Sequence, residues 1–198
     1  MNYYSHTIRV TNFDISDVYR VKNIFKIGYL LSRNKLKDII YDEGINISET
    51  TALFNGMDYI SLCDLTMEHD EYSAYNMYTK RGLSLIFNKK LPVIKPSIVN
   101  MRIGDIIFGN DAHELGMGEK RYSDLADEVQ VRDSISLDYM EGIILSLRSF
   151  YRHHNELYLI EYLNLLKEVI NNSKYSVPII NLDSEKEIII EKDKIKRI

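Results

Sequence analysis

The stretch Tyr3–Gly28, YYSHTIRVTNFDISDVYRVKNIFKIG, joins a strand signal to a helix signal and indicates the fold class. Residues Tyr3–Val10 mix aromatic, β-branched and polar types at near-alternating spacing, which is typical of a strand. Ser16 is a candidate N-cap for the helix, and Gly28 stands where a helix ends in left-handed backbone. Between them, apolar residues recur at helical spacing: Val18, Val21, Ile24 and Phe25. The chain therefore begins as a strand followed by a helix, and we predict an α+β fold.

The remaining elements are predicted from the same two periodicities. Further strands are expected at Asp58–Cys63, directly after Gly82, at Arg102–Phe108 and from Glu128 onward. Short helices are expected at Lys35–Tyr41 and Glu71–Tyr78, and a pair of helices at Ser136–Tyr151 and Asn155–Ile170. The stretches Asp42–Gly56 and Gly109–Asp127 carry turn residues without a clear period and are predicted as loops. The tail segment KEIIIEK is predicted as a last strand.

Composition bounds the class of protein. The chain has 198 residues, of which 45% are hydrophobic and 27% charged, as expected for one folded domain. A single cysteine, Cys63, excludes an internal disulfide framework and a Cys-based zinc cluster. The net charge of -4 gives no global positive field for long nucleic acid. No apolar run is long enough to cross a bilayer, so we expect a soluble cytoplasmic protein without membrane contact, and a secreted effector stays open.

Several familiar site types are absent from the sequence. It has no GxxxxGK[ST] phosphate loop, no GxGxxG opening a helix, no HExxH and no GxSxG. The five histidines are scattered along the chain, and we predict no metal site.

Two polar residues stand out on predicted strands. His6 lies inside the first strand, between Ser5 and Thr7, where core packing does not need a polar ring. Glu128 begins a short β-branched strand directly after the predicted Gly109–Asp127 loop. Each residue has a plain structural alternative, which is a half-exposed strand histidine for His6 and a solvated strand end for Glu128.

The order of these features carries more information than any one of them. The chain runs from the Tyr4-Ser5-His6-Thr7 strand through a capped helix and IFKIGYLLSR to the strand DYISLC. The Tyr- and Ser-rich segment EYSAYNMY, a long loop and the Glu128-Val-Gln-Val strand follow. This order resembles the ADP-ribosyltransferase superfamily, in particular its His-Tyr-Glu branch, which includes the poly(ADP-ribose) polymerases and the DarT-like nucleic-acid-modifying toxins. IFKIGYLLS looks like the segment after the first motif of that branch, and DEVQVRDSISLDYMEGI looks like its third motif.

The resemblance covers roughly residues 3–145 of a single domain 1–198 and leaves residues 146–198 as a C-terminal extension. It implies a split β-sandwich with flanking helices, to which the sequence adds a C-terminal helical pair. Enzymes of this fold bind NAD in a cleft between two small sheets, break the bond from ribose to nicotinamide and transfer ADP-ribose to an acceptor.

The resemblance also implies roles for individual residues. Glu128 matches the carboxylate that stabilises the positive charge left when nicotinamide departs. His6 matches the histidine that holds the adenosine-side ribose hydroxyl, with Thr7 as a neighbour.

The second motif of the branch forms the nicotinamide pocket and is the loosest part of the match. Tyr59 or Ser61 is expected to supply its strand position, and Ser73 with Tyr75 its helix position, although helix packing is an equal alternative for the tyrosine. Arg81 and Arg9 are candidates for a phosphate of NAD, with solvated arginines as the alternative.

We therefore predict an NAD-dependent mono-ADP-ribosyltransferase that modifies a macromolecule, as a toxin or effector. A protein acceptor is favoured over DNA or RNA because the chain has no basic excess, and the mixed charges of the Gly109–Asp127 loop give no strong attraction for a phosphate backbone. Arginine acceptors are disfavoured, since Ala126 stands two positions before Glu128, where toxins that modify arginine carry a second acidic residue or a glutamine. Two alternatives remain: an inactive module of this fold that binds a nucleotide or a protein partner, and an RNA 2′-phosphotransferase. The oligomeric state is not predicted.

Overall fold

Strand β1, Tyr4–Arg9, lies inside a seven-stranded sheet that organises the protein. The sheet is seen in a computed structural model that describes residues 1–9, 13–32, 35–36, 59–67, 73–93, 127–191 and 194–196. Its other strands are β3 (Tyr59–Asp64), β4 (Leu83–Phe87), β5 (Glu128–Arg132), β7 (Met140–Leu145), β8 (Ile179–Asn181) and β9 (Lys186–Glu187). Their order is β5-β3-β1-β4-β7-β8-β9, and every neighbouring pair is antiparallel except β7 with β8.

Two smaller sheets and the helices complete the described part of the chain. One small sheet pairs β2 (Tyr29–Leu31) with β6 (Ser134–Ser136), and the other pairs β10 (Ile189–Glu191) with β11 (Lys194–Lys196). The α-helices are α1 (Ile15–Ile27), α2 (Ala74–Met77), α3 (Leu147–Phe150) and α4 (Glu156–Asn171). Two 3₁₀ helices lie at Thr79–Arg81 and Leu137–Tyr139. The mixture of a largely antiparallel sheet with helices confirms the predicted α+β class.

Helix α1 follows the prediction except at its first residue. Its N-cap is Asp14, whose Oδ1 accepts from the amide of Ser16 at 2.8 Å, so the prediction of Ser16 as N-cap was wrong by two residues. A carboxylate at this end of a helix also interacts favourably with the helix dipole, which favours Asp14 over a neutral hydroxyl. Gly28 ends the helix at φ 82, and its N–H donates to the carbonyl of Ile24 at 2.8 Å, which confirms its predicted role.

The hydrophobic core lies mainly on one face of the large sheet. Helices α1 and α4 contribute Val18, Val21, Leu159, Leu163 and Leu166 to it, and all five are fully buried. A smaller cluster on the other face includes Cys63, Leu65, Ala74, Ile86, Ile144 and Leu182. Helix α4 and its buried stripe confirm the predicted helix Asn155–Ile170, with Asn155 as the capping residue.

The predicted helix Ser136–Tyr151 is wrong, and with it the C-terminal helical pair. Ser136 does cap, but it caps the short 3₁₀ helix Leu137–Tyr139, accepting from the amide of Asp138 at 3.2 Å. The chain then enters strand β7, which lies between β4 and β8 and is buried along its length except at Glu141. A strand covered on both faces is a continuous apolar run, and such a run cannot be told from a buried helix by period alone.

Strands β2, β6 and β8 were not predicted, and the predicted elements differ from the structure mainly in their bounds. Strands β3, β4 and β5 match their predictions, α2 is shorter than the predicted Glu71–Tyr78, and the single predicted tail strand is divided between β9 and β10. The predicted loop Asp42–Gly56 and strand Arg102–Phe108 lie outside the described residues, as do most of the helix Lys35–Tyr41 and of the loop Gly109–Asp127. Strands β8 and β9 extend the same sheet as β1, so the residues after 146 share the sheet with the rest of the chain.

The large sheet is divided between β1 and β3. The described pairing of these two strands covers Tyr4 with Asp64 and Ser5 with Cys63. In contrast, β1 pairs with β4 from Tyr4 to Arg9, and β3 pairs with β5 from Tyr59 to Cys63. Two ladders are therefore joined at one end and separate beyond Ser5.

Candidate functional site

His6 lies at the point where the two ladders separate. Its Nδ1 is 2.9 Å from the carbonyl oxygen of Ser61 on β3. A carbonyl only accepts, so Nδ1 carries the proton and Nε2 of the neutral ring is left as an acceptor. Burial lowers the pKa of His6 below its ordinary value of 6.5, and the bond to Ser61 opposes that shift. The ring therefore bridges the two ladders in its neutral form at neutral pH.

Thr7 is held within the β1–β4 ladder. Its Oγ1 lies 2.8 Å from the hydroxyl of the buried Ser84, its cross-strand neighbour on β4. The predicted neighbour of His6 is therefore half-buried and already hydrogen-bonded to the sheet.

The predicted residues of the second motif have different surroundings. Ser61 is exposed on β3. Ser73 is buried, and its Oγ caps α2 by accepting from the amide of Asn76 at 3.2 Å. Tyr75 packs against the smaller hydrophobic cluster. The pKa of its phenol is raised mainly by burial and, to a smaller extent, by the charge of Asp183. Arg81 is exposed at the end of the 3₁₀ helix Thr79–Arg81. The structure thus gives Ser73 and Tyr75 structural roles and leaves Ser61 and Arg81 on the surface.

Asp127 is a buried residue whose role the sequence did not reveal. Its Oδ1 accepts from the amide of Ala74 at 3.0 Å, and its Oδ2 accepts from the amide of Tyr75 at 3.0 Å. The thiol of Cys63 donates to Oδ2 at 3.4 Å. Asp127 therefore satisfies the first amides of α2 from 53 residues away and fixes that helix beside β5. Capping by a distant side chain leaves no local pattern, so no sequence signal could have identified it.

Glu128 is the first residue of β5, which confirms the prediction that it begins a strand, and its side chain is half-buried. The side-chain amide of Gln130, two residues later on the same side of the strand, lies 3.5 Å from Oε1 of Glu128. The other end of that amide, Oε1 of Gln130, is buried without a hydrogen-bond partner. Gln130 is paired with Ser61, the residue whose carbonyl holds His6. A continuous set of neighbours therefore links His6 to Glu128 through β3.

Strands β1, β3 and β5, which carry residues of the first, second and third predicted motifs, lie side by side in the order β5-β3-β1. Glu128 is paired with Cys63, and Cys63 with Ser5, so Glu128 lies two strand spacings, roughly 10 Å, from β1. Side chains alternate along a strand, which places Glu128 on the face of Cys63 and Ser5 and His6 on the opposite face. Glu128 and His6 therefore lie on opposite faces of the sheet.

No protein-family model, curated protein or solved structure matches the chain. Among the described residues, no helix is both long and apolar enough to cross a bilayer. The same residues contain no group of three or more His, Cys, Asp or Glu side chains arranged to hold a metal ion.

Proposed function

We propose that this protein is an NAD-dependent mono-ADP-ribosyltransferase built on a split β-sandwich, with Glu128 as its catalytic carboxylate. One observation carries the proposal. Three segments that are far apart in sequence, and that carry His6, Ser61 and Glu128, form three adjacent strands. The first two of these strands separate at His6, and a separation between two ladders is where the resembling family places NAD.

In the proposed reaction, the bond between C1′ of the ribose and the ring nitrogen of nicotinamide breaks, and nicotinamide leaves as a neutral base. The carboxylate of Glu128 stabilises the oxocarbenium-like charge on the ribose. A nucleophile of the acceptor then forms a bond to C1′ and gives up its proton, for which Glu128 is the base. The products are nicotinamide and an ADP-ribosylated macromolecule.

The proposed role of His6 is to orient the nucleotide. Its Nδ1–H is fixed by the carbonyl of Ser61, so Nε2 is the ring atom left to accept from a ribose hydroxyl. Exposed Ser61 and Arg81 are the remaining polar groups proposed to contact NAD, and Thr7 holds β1 in place through Ser84. Positioning of this kind can supply a large part of a rate enhancement.

A second function is favoured by the second motif. Ser73 caps α2 and Tyr75 packs against the smaller cluster, so both side chains already have a role in the fold. This favours the alternative, a module that binds a nucleotide or a protein partner without turnover.

Nicotinamide release from NAD, in the presence of cell extract as a source of acceptor, separates the two functions. We expect release by the wild type and a loss of about 10²–10³-fold in Glu128→Gln. Glu141→Gln is the matched control, because Glu141 is exposed on β7 and its Oε1 accepts from Asn88 at 3.0 Å, a bond that glutamine retains. NAD binding in calorimetry without release would instead support the inactive module, and equal activity in all three proteins would reject the catalytic role of Glu128.

A further inference from the structure

One part of the surface differs in charge from the rest of this acidic protein. The segments Tyr78–Arg81 and Ser146–His154 contain no Asp or Glu, although the whole chain carries a net charge of -4. They hold a set of cations that we call the basic surface: Lys80, Arg81, Arg148 and Arg152. All of these side chains are exposed except that of Lys80, which is half-buried.

The fold brings the two segments together. Cα atoms of the 3₁₀ helix Thr79–Arg81 and of α3 approach within 8 Å of each other. The 3₁₀ helix is anchored to the sheet through the hydroxyl of Thr79, which lies 2.8 Å from that of Ser5 and is buried with it. Cations that are 67 residues apart in sequence, such as Arg81 and Arg148, therefore belong to one surface.

One acidic side chain lies directly beside these cations. Asp183 lies at the start of α3, where its carboxylate accepts from the hydroxyl of Ser146 and the amide of Arg148, both at 2.8 Å. Both donors are neutral, so the charge of Asp183 remains and offsets one of the four Lys and Arg side chains. Lys80 contacts a neutral group, the side-chain oxygen of Asn76, at 3.4 Å.

Two aromatic side chains adjoin the cations. Tyr78 precedes the 3₁₀ helix and is 44% exposed, and Tyr151 follows α3 and is 46% exposed. Exposed rings beside cations suit single-stranded nucleic acid, because phosphates meet the cations and unpaired bases stack on the rings. An acidic peptide would use the cations but would not need the rings.

We propose that the basic surface binds single-stranded nucleic acid. This binding does not require the proposed transfer reaction. The strand lies across α3 and the 3₁₀ helix, and the 3₁₀ helix is bonded to Ser5, which shares a face of the sheet with Cys63 and Glu128. Ser5, next to the 3₁₀ helix, is two strand spacings, roughly 10 Å, from Glu128. If the transferase proposal holds, a bound strand therefore lies close enough to be the acceptor.

The salt dependence of binding gives the expected magnitude. Four phosphate contacts on a single strand predict a logarithmic slope of about -2.8, so a rise from about 50 to about 200 mM salt weakens binding about 50-fold. Removing three of the four contacts reduces that loss to about threefold over the same range.

The test is fluorescence anisotropy of a labelled oligouridylate with three proteins whose folding is checked by circular dichroism. The test variant carries Arg81→Ala, Arg148→Ala and Arg152→Ala. The matched control carries Arg20→Ala, Lys22→Ala and Lys26→Ala, which removes the same charge from exposed positions of α1. We expect the test variant to lose at least about tenfold in affinity at low salt with a flatter salt slope, and the control to change by less than about twofold.

Two further outcomes decide the class of ligand. Tyr151→Ala is expected to weaken binding at least about fivefold without changing the salt slope, because it removes stacking and leaves the charges. Polyaspartate and unlabelled oligouridylate are compared as competitors at equal charge. If polyaspartate competes as strongly, the surface binds any polyanion, and the proposal would be overturned. Absence of binding by the wild type at low salt, or equal losses in the test and control variants, would overturn it as well.

Discussion

Replacement of Asp127 by alanine is expected to be among the most destabilising single changes in the described part of the chain. The Asp127 side chain accepts from the amides of Ala74 and Tyr75, both at 3.0 Å, and from the thiol of Cys63. Asp127 is 1% exposed, so water does not replace these bonds without local opening. Alanine would leave the buried amide of Ala74 and the half-buried amide of Tyr75 without an acceptor.

The expected cost follows from those two amides. A buried donor left unsatisfied costs about 1–3 kcal/mol, and bonds to a carboxylate lie in the upper part of that range. One buried and one half-buried amide together give about 2–4 kcal/mol for Asp127→Ala. Asp127→Asn keeps the shape and one acceptor oxygen, so its cost is expected to be about half as large. Because a domain is stable by only about 5–15 kcal/mol, the asparagine variant is the one that keeps the measurement accessible if the alanine variant does not fold.

The assay is urea unfolding followed by circular dichroism. Asp138→Ala is the control, because Asp138 is an exposed acid in the 3₁₀ helix Leu137–Tyr139 and its loss is expected to cost less than about 0.5 kcal/mol. If the free energy of unfolding falls by less than about 1 kcal/mol in Asp127→Ala and does not change in Asp127→Asn, this carboxylate does not hold α2.

Three further results are expected. Gly142→Ala should cost about 1–2 kcal/mol in urea unfolding, since the added Cβ would lie 3.1 Å from the carbonyl oxygen of Pro178, and an unchanged midpoint would contradict this. The pKa of His6 is lowered in the folded state, so the unfolded chain takes up a proton first as pH falls below about 6.5 and the free energy of unfolding decreases. Between about pH 7 and about pH 5, the free energy of unfolding should decrease less in His6→Gln than in the wild type. Equal decreases in the two proteins would contradict a lowered pKa of His6. Burial, then the charge of Asp127, raises the pKa of the Cys63 thiol, so a thiol reagent should label native protein roughly a thousandfold more slowly than the urea-unfolded chain; comparable rates would show that the thiol is accessible.

The parts of the fold that were predicted correctly are those with a local signal. Helices α1 and α4 each bury one face, so their apolar residues recur at a period that identifies the element. Strand β7 has no such contrast, because four of its consecutive residues, Gly142–Leu145, are buried between β4 and β8. The prediction failed where burial on both faces removed the period.

For the candidate site, the sequence indicated positions but not contacts. It predicted that Glu128 begins a strand and that His6 lies within one, and both are confirmed. It could not show that His6 bonds the carbonyl of Ser61, because that contact depends on the register between β1 and β3. For Tyr75 it left a ligand pocket and helix packing as equal alternatives, and the side chain packs against the smaller cluster. Strand register and tertiary packing are set by the whole chain, so single positions do not reveal them.

The central claim is that Glu128 supports transfer of ADP-ribose from NAD. Its most direct test uses NAD labelled in the adenylate phosphate, incubated with cell extract and either wild-type protein or Glu128→Gln at equal folded fraction. Transfer predicts label in the macromolecular fraction with the wild type and about 10²–10³-fold less with the variant. Nuclease or protease treatment then identifies the acceptor by removing the label. Label at the same level with both proteins, or with neither, would contradict the claim.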